Sequence, residues 1–111
     1  MILIDKLQCN KGESRAEFEK KVRNISDMLK INPNWLMMVM YNESRLNAQA
    51  VNMQPGDSND PLIRCVYRAT GLIQFMPSTA LRLGTTNRDL YRMTNIDQMN
   101  YVYKYFQPHA G

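Results

Sequence analysis

From Trp35 to Tyr41 the chain runs Trp35-Leu36-Met37-Met38-Val39-Met40-Tyr41 without a polar residue, directly after Asn32-Pro33. Asn is a strong helix cap, and Pro is pre-set for the first helical position, so this segment starts a helix. A helix apolar all round belongs in the middle of a domain, and the remaining elements must be arranged about it. Ser14 with Glu17 has the spacing of a capping box, and Phe18, Val22, Ile25 and Leu29 follow at helical intervals. An amphipathic helix is therefore predicted over residues 15–30, its apolar stripe facing the core. Pro77 opens a short helix ended by Gly84. Thr86 with Asp89 and Thr94 with Asp97 mark two further helix starts, and Pro108 closes the last. Between these helices the pattern changes. Gln54-Pro55-Gly56-Asp57 is a turn signal, and the branched and aromatic content of Leu62-Ile63-Arg64-Cys65-Val66-Tyr67-Arg68 predicts a short strand in a small β-hairpin lobe. The expected fold is α+β and mostly α. With 111 residues, 44% hydrophobic and 22% charged, and no low-complexity stretch, one domain over 1–111 is expected to carry a modest core.

Several function classes lose support at this point. No stretch is long and apolar enough for a membrane span. Met1-Ile2-Leu3-Ile4-Asp5-Lys6-Leu7 meets charge too early for a secretory leader, so the chain reads as soluble and not exported by an ordinary signal. Cys9 and Cys65 read as two unrelated thiols, with one disulfide as the alternative, and with no histidine or cysteine cluster they imply no metal site. A net charge of +4 favours an anionic partner without choosing one. Lys20, Lys21 and Arg23 lie on the polar face of the predicted first helix with no aromatics between them, which is solvation rather than nucleic-acid binding. His109, the only histidine, lies at the end of the chain, so no Cys or Ser has an evident base for nucleophilic catalysis.

The chemistry-bearing candidate is Glu43, at the carboxyl end of the apolar helix, with Gly71-Leu72-Ile73-Gln74-Phe75-Met76-Pro77 downstream as a possible facing wall. A carboxyl among Met and Trp side chains is desolvated, and a helix C-terminus disfavours negative charge, so a group placed there keeps its proton and serves as a general acid. Glycosidic bond cleavage needs such an acid. The plain reading is a surface Glu where a helix frays, paired with Arg45. A two-carboxylate glycosidase is a further alternative, with Asp57 or Asp60 as the second group, although both also read as solvated turn residues in Gly56-Asp57-Ser58-Asn59-Asp60-Pro61.

Two motifs in order, Glu43-Ser44 with Asn47 and Ala50 downstream, then Gly71-Leu72-Ile73-Gln74-Phe75-Met76-Pro77-Ser78-Thr79-Ala80, resemble the soluble lytic transglycosylase family of the lysozyme-like superfamily, especially its phage tail-associated type. The resemblance runs from about Asn32 to Phe106, and Asn95-Ile96 through Tyr101-Val102 is similar to the family's next helix. It implies a lysozyme-like fold and cleavage of peptidoglycan between N-acetylmuramic acid and N-acetylglucosamine. Glu43 would be the sole catalytic side chain, first protonating the bridging oxygen and then, as carboxylate, accepting a proton from the muramoyl 6-hydroxyl, whose attack yields a 1,6-anhydro product. It also implies that Asn52, where Ser is more usual, Gln74 and Met76 bind the sugar, that Gly71 lets the backbone approach substrate and the catalytic helix, and that Tyr101 is groove wall or core. No cofactor is implied. The partners implied are peptidoglycan strands and, for the phage type, other virion proteins, at a virion tail, the periplasm or the cell wall. Two departures stand out: a longer polar insert from Met53 to Arg68, and an end at Gly111 where the family continues into further helices. The second leaves open a catalytically incomplete wall-binding or virion module.

Overall fold

The computed structural model describes residues 1–109; Ala110 and Gly111, and the side chain of His109, lie outside the described residues. Six helices follow in order: α1 (Arg15–Leu29), α2 (Pro33–Ser44), α3 (Pro61–Arg64), α4 (Pro77–Arg82), α5 (Asn87–Arg92) and α6 (Asn95–Phe106). Single 3-10 turns lie at Ile4–Lys6 and Gln107–His109. The helix starts sit where the caps predict them. The Ser14 hydroxyl accepts from Glu17 N–H at 3.2 Å, Asn32 Oδ1 from Asn34 N–H at 2.8 Å, Thr86 Oγ1 from Asp89 N–H at 3.0 Å and Thr94 Oγ1 from Asp97 N–H at 3.1 Å. Each satisfies a backbone donor that the helix itself leaves orphaned.

α1 packs on α2 and α6 through the stripe its periodicity predicts: Phe18, Val22, Ile25 and Leu29 are all buried. Leu36, Met37 and Met40 of α2, Met99 and Val102 of α6, and Leu72, Phe75 and Leu90 complete the core. α2 corrects one expectation. It is central on one side only, because Trp35 is 50% and Met38 47% exposed. Trp35 meets Phe106 edge-to-face at 5.9 Å, and Phe106 meets Tyr105 at 5.0 Å, so the partial cover on that side of α2 comes from the end of α6. Composition cannot say that a helix with no polar face will be covered on every side.

The expected hairpin at Leu62–Arg68 is a second correction. That segment is α3 followed by a turn, and among the described residues the β pairing is limited to isolated bridges, Val51 with Thr70 and Thr70 with Phe75. The Asp60 carboxylate accepts from Leu62 N–H at 2.9 Å, and Pro61 occupies the first helical position. A cap and a pre-set φ outweigh the weak β preference of Ile63, Val66 and Tyr67. Arg64, buried, then braces the insert: its guanidinium donates to the carbonyls of Val51, Asn52 and Ser58 at 2.9–3.3 Å. Cys9 and Cys65 are free thiols.

Candidate functional site

α2 ends on Glu43-Ser44, and two consecutive left-handed residues, Arg45 (φ 56°) and Leu46 (φ 57°), turn the chain away. A left-handed non-glycine residue costs about 1–2 kcal/mol. The turn is held because Arg45 N–H bonds Tyr41 O at 2.8 Å, Leu46 N–H bonds Met40 O at 3.3 Å, and the Leu46 side chain is fully buried. Ser44 is buried as well. Its hydroxyl oxygen lies 2.8 Å from Leu72 O and 3.0 Å from Met40 O, with one proton to share between them. This contact joins the Glu-Ser motif to the Gly71–Pro77 segment.

That segment is a tight turn. Thr70 and Phe75 exchange backbone bonds of 3.0 and 2.8 Å across it, and Gln74 closes it at φ 58° with its amide Nε2 donating to Ala50 O at 3.1 Å and Gly71 O at 3.0 Å. Gln74 therefore fastens its own loop through its amide nitrogen, while its Oε1 has no partner among the described residues. Gly71 has φ +90°, and a Cβ there would stand 2.6 Å from Gln98 Oε1. A side chain at Gly71 would thus run into α6.

Gln98 was not among the residues singled out from the sequence, and it organises the site. Fully buried, its Oε1 accepts from Leu72 N–H at 2.7 Å and its Nε2 donates to Ala48 O and Leu90 O at 2.9 Å each. One amide thereby fixes the loop after α2, the Gly71 turn and the end of α5. Its apolar helical setting, with Met99 and Val102 beside it, offered no local signal.

The remaining sequence candidates are less uniform. Glu43 is exposed, and the burial against Met and Trp expected for it is not found. The inward stripe of α2 is Leu36, Met37, Met40 and Ser44, and Glu43 sits on its flank. Nor is it paired with Arg45, whose guanidinium donates to Tyr41 O at 3.1 Å and stacks over the Tyr41 ring at 4.8 Å. Among the described residues Glu43 has no hydrogen-bond or ion-pair partner, so it is free to meet a ligand. Asn52 is exposed beside the bridge at Val51, and Met76 is 53% exposed as the residue before α4. Tyr101 packs partly against the core, with Lys104 Nζ 4.9 Å above its ring. The two carboxylates of the insert have structural duties: Asp57 accepts from Arg68 at 2.8 and 3.0 Å and from Gln54 N–H at 2.9 Å, and Asp60 caps α3. Among the described residues no three His, Cys, Asp or Glu side chains could hold a metal ion together, and no helix is long and apolar enough to cross a membrane.

A family model described as the transglycosylase SLT domain matches residues 20–107, from within α1 to past the end of α6. The chain belongs to the SLT transglycosylase family. Membership implies lytic transglycosylase activity on peptidoglycan. No curated protein and no solved structure matched the chain. The matched SLT region contains both motifs and Gln98, so the Ser44–Leu72 contact and the Gln98 clamp lie inside the family domain.

Two consequences are measurable. Ser44→Ala leaves the Leu72 carbonyl without that donor and is expected to lower stability by about 1–2 kcal/mol, read as a shifted denaturant midpoint at unchanged slope. The Arg68 guanidinium, followed by the Gln54 N–H, holds the Asp57 carboxyl below its ordinary value. A carboxyl with a lowered folded-state value stabilises the fold above its unfolded-state value, about 3.9, and this contribution is lost as pH falls through the folded value. Acid titration of Asp57→Asn followed by circular dichroism should therefore be flatter than wild type below about pH 4. Equal slopes would remove Asp57 from the acid response.

Proposed function

We propose that this SLT domain cleaves the β-1,4 bond between N-acetylmuramic acid and N-acetylglucosamine with Glu43 as its sole catalytic group, releasing 1,6-anhydromuramoyl ends. The observation that carries the reading is the Ser44–Leu72 contact, which holds the residue after Glu43 against the turn bearing Gln74 and Met76. A glycan lying over that turn would cover an exposed carboxyl at a helix C-terminus. Water is then withdrawn from the carboxyl by the substrate rather than by the folded protein. The acid delivers its proton to the bridging oxygen as the C–O bond breaks. As carboxylate it takes the proton of the muramoyl 6-hydroxyl, whose oxygen closes on the anomeric carbon, so no water is consumed.

In this reading Gln74 Oε1, Asn52 and exposed Met76 contact the sugar, and Tyr101 contributes from α6. The commitments of Asp57 to Arg68 and of Asp60 to the start of α3 support a single-acid route over a two-carboxylate hydrolase. Resemblance of the Gly71–Ala80 run to the phage tail-associated type supports delivery to the wall on a virion. The test is mass spectrometry of fragments from purified cell walls: products lighter by one water support the transglycosylase route. Reducing ends alone would replace it with hydrolysis.

A further inference from the structure

Four aromatic rings follow one another at contact distance. Trp35 of α2 meets Phe106 at 5.9 Å, Phe106 meets Tyr105 at 5.0 Å, and Tyr105 meets Phe75 at 6.4 Å, each pair edge-to-face. Phe75 is buried, whereas Trp35 is 50% and Tyr105 38% exposed. Both ends of the row lead to the proposed site. At one end Phe75 stands between Gln74 and Met76, and its backbone closes the Gly71 turn against Thr70. At the other, Trp35, Val39 and Glu43 are spaced i, i+4 and i+8 on α2. At 100° and 1.5 Å per residue, Glu43 then lies about 12 Å along the axis from Trp35 and about 80° around it. Between them on that flank the helix presents only half-buried Val39, and Arg45, stacked on Tyr41, lies round the other side.

We propose that Trp35 and Tyr105 form a stacking platform for N-acetylated sugar rings of the glycan strand beyond the scissile bond, extending the site along α2 and the end of α6; this rests on the function proposed above. The row's continuity with the Gly71 turn and with the Glu43 flank selects the glycan as occupant. Its chemistry fits as well. Each exposed ring pairs an apolar face with a polar edge, the Trp35 indole N–H and the Tyr105 hydroxyl, and neither edge has a hydrogen-bond partner among the described residues. A pyranose has apolar C–H faces and outward hydroxyls, so it covers the rings and meets both edges. A second copy of the chain is the weaker occupant, because a net charge of +4 on each copy opposes their association and favours an anionic polymer.

The test is titration of the whole chain with the N-acetylglucosamine hexamer, followed by fluorescence of Trp35, the sole tryptophan, and by calorimetry for the variants. A saturable shift of Trp35 emission to the blue is expected. Trp35→Ala and Tyr105→Ala should each weaken hexamer binding about fivefold, and Tyr105→Phe, which keeps the ring, less than about twofold. Melting curves check that the variants fold; should Tyr105→Ala fail to, Trp35→Ala decides by itself. The inference is overturned if the hexamer leaves Trp35 emission unchanged or if the folded alanine variants bind it as tightly as wild type. It is also overturned if emission shifts with protein concentration in the absence of sugar and light scattering finds a dimer, since the row would then be an interface between copies. Wall clearing by the wild-type chain separates the two readings: clearing with a silent Trp35 sinks the platform alone, and a Trp35 response without clearing sinks the proposed catalysis alone.

Discussion

Glu43→Gln is expected to lower the rate of cell-wall clearing by about 10²–10⁴-fold, the usual contribution of a positioned general acid. The fold should not change with it. Glu43 is exposed and has no partner among the described residues, and surface substitutions of this kind stay within about 0.5 kcal/mol. Loss of turbidity clearance with an unshifted melting curve is therefore the expected pair of results. The amide keeps the size and the hydrogen-bonding reach of the side chain but has no proton to deliver to a leaving oxygen, so glycan binding should survive while turnover does not. A variant that clears walls at the wild-type rate would remove Glu43 from the mechanism and leave the SLT fold without its proposed acid.

The largest stability effect is expected at Gln98. Replacing it with Leu keeps the buried volume but leaves Leu72 N–H and Ala48 O without partners in the core, and takes from Leu90 O one of its two donors, the other being Met93 N–H. Each such group costs about 1–3 kcal/mol, and because they share one side chain the sum should fall near 3–5 kcal/mol. That is a large fraction of the stability of an ordinary small domain, and the melting temperature should drop by about 15 °C or more. Gly71→Ala attacks the same contact from the other side. The new Cβ would press on an oxygen that cannot move without breaking its bond to Leu72, and φ +90° is strained for alanine in any case. In a Gln98→Ala background the steric part disappears, so Gly71→Ala should cost at least about 0.5–1 kcal/mol less there. Additive costs in the double-mutant cycle would mean that the strain is all in the backbone.

The same two residues show how unevenly the molecule can be read. Gly71 stands out in the chain because it opens a recognisable run, whereas Gln98 looks like any polar residue in a helix. Its partners come from segments 26, 50 and 8 residues away, and no local pattern reports a bond spanning that range. Leu62–Arg68 failed for the opposite reason. Two local signals conflicted there, and the cap of Asp60-Pro61 prevailed over side chains suited to a strand.

The starts of α1, α2, α5 and α6 and the inward stripe of α1 were determined by the sequence alone. Capping and helical periodicity act within a few residues, so their causes are written side by side in the chain. The two motifs that resemble the SLT family were legible for the same reason. What only the tertiary structure decided is which side of α2 is covered, that Glu43 stands on the flank of the buried stripe in solvent, and that Ser44 and Gln98 bind the Gly71 turn to two different helices. Burial and long-range hydrogen bonds depend on where distant segments come to rest, and that is a property of the packed chain as a whole.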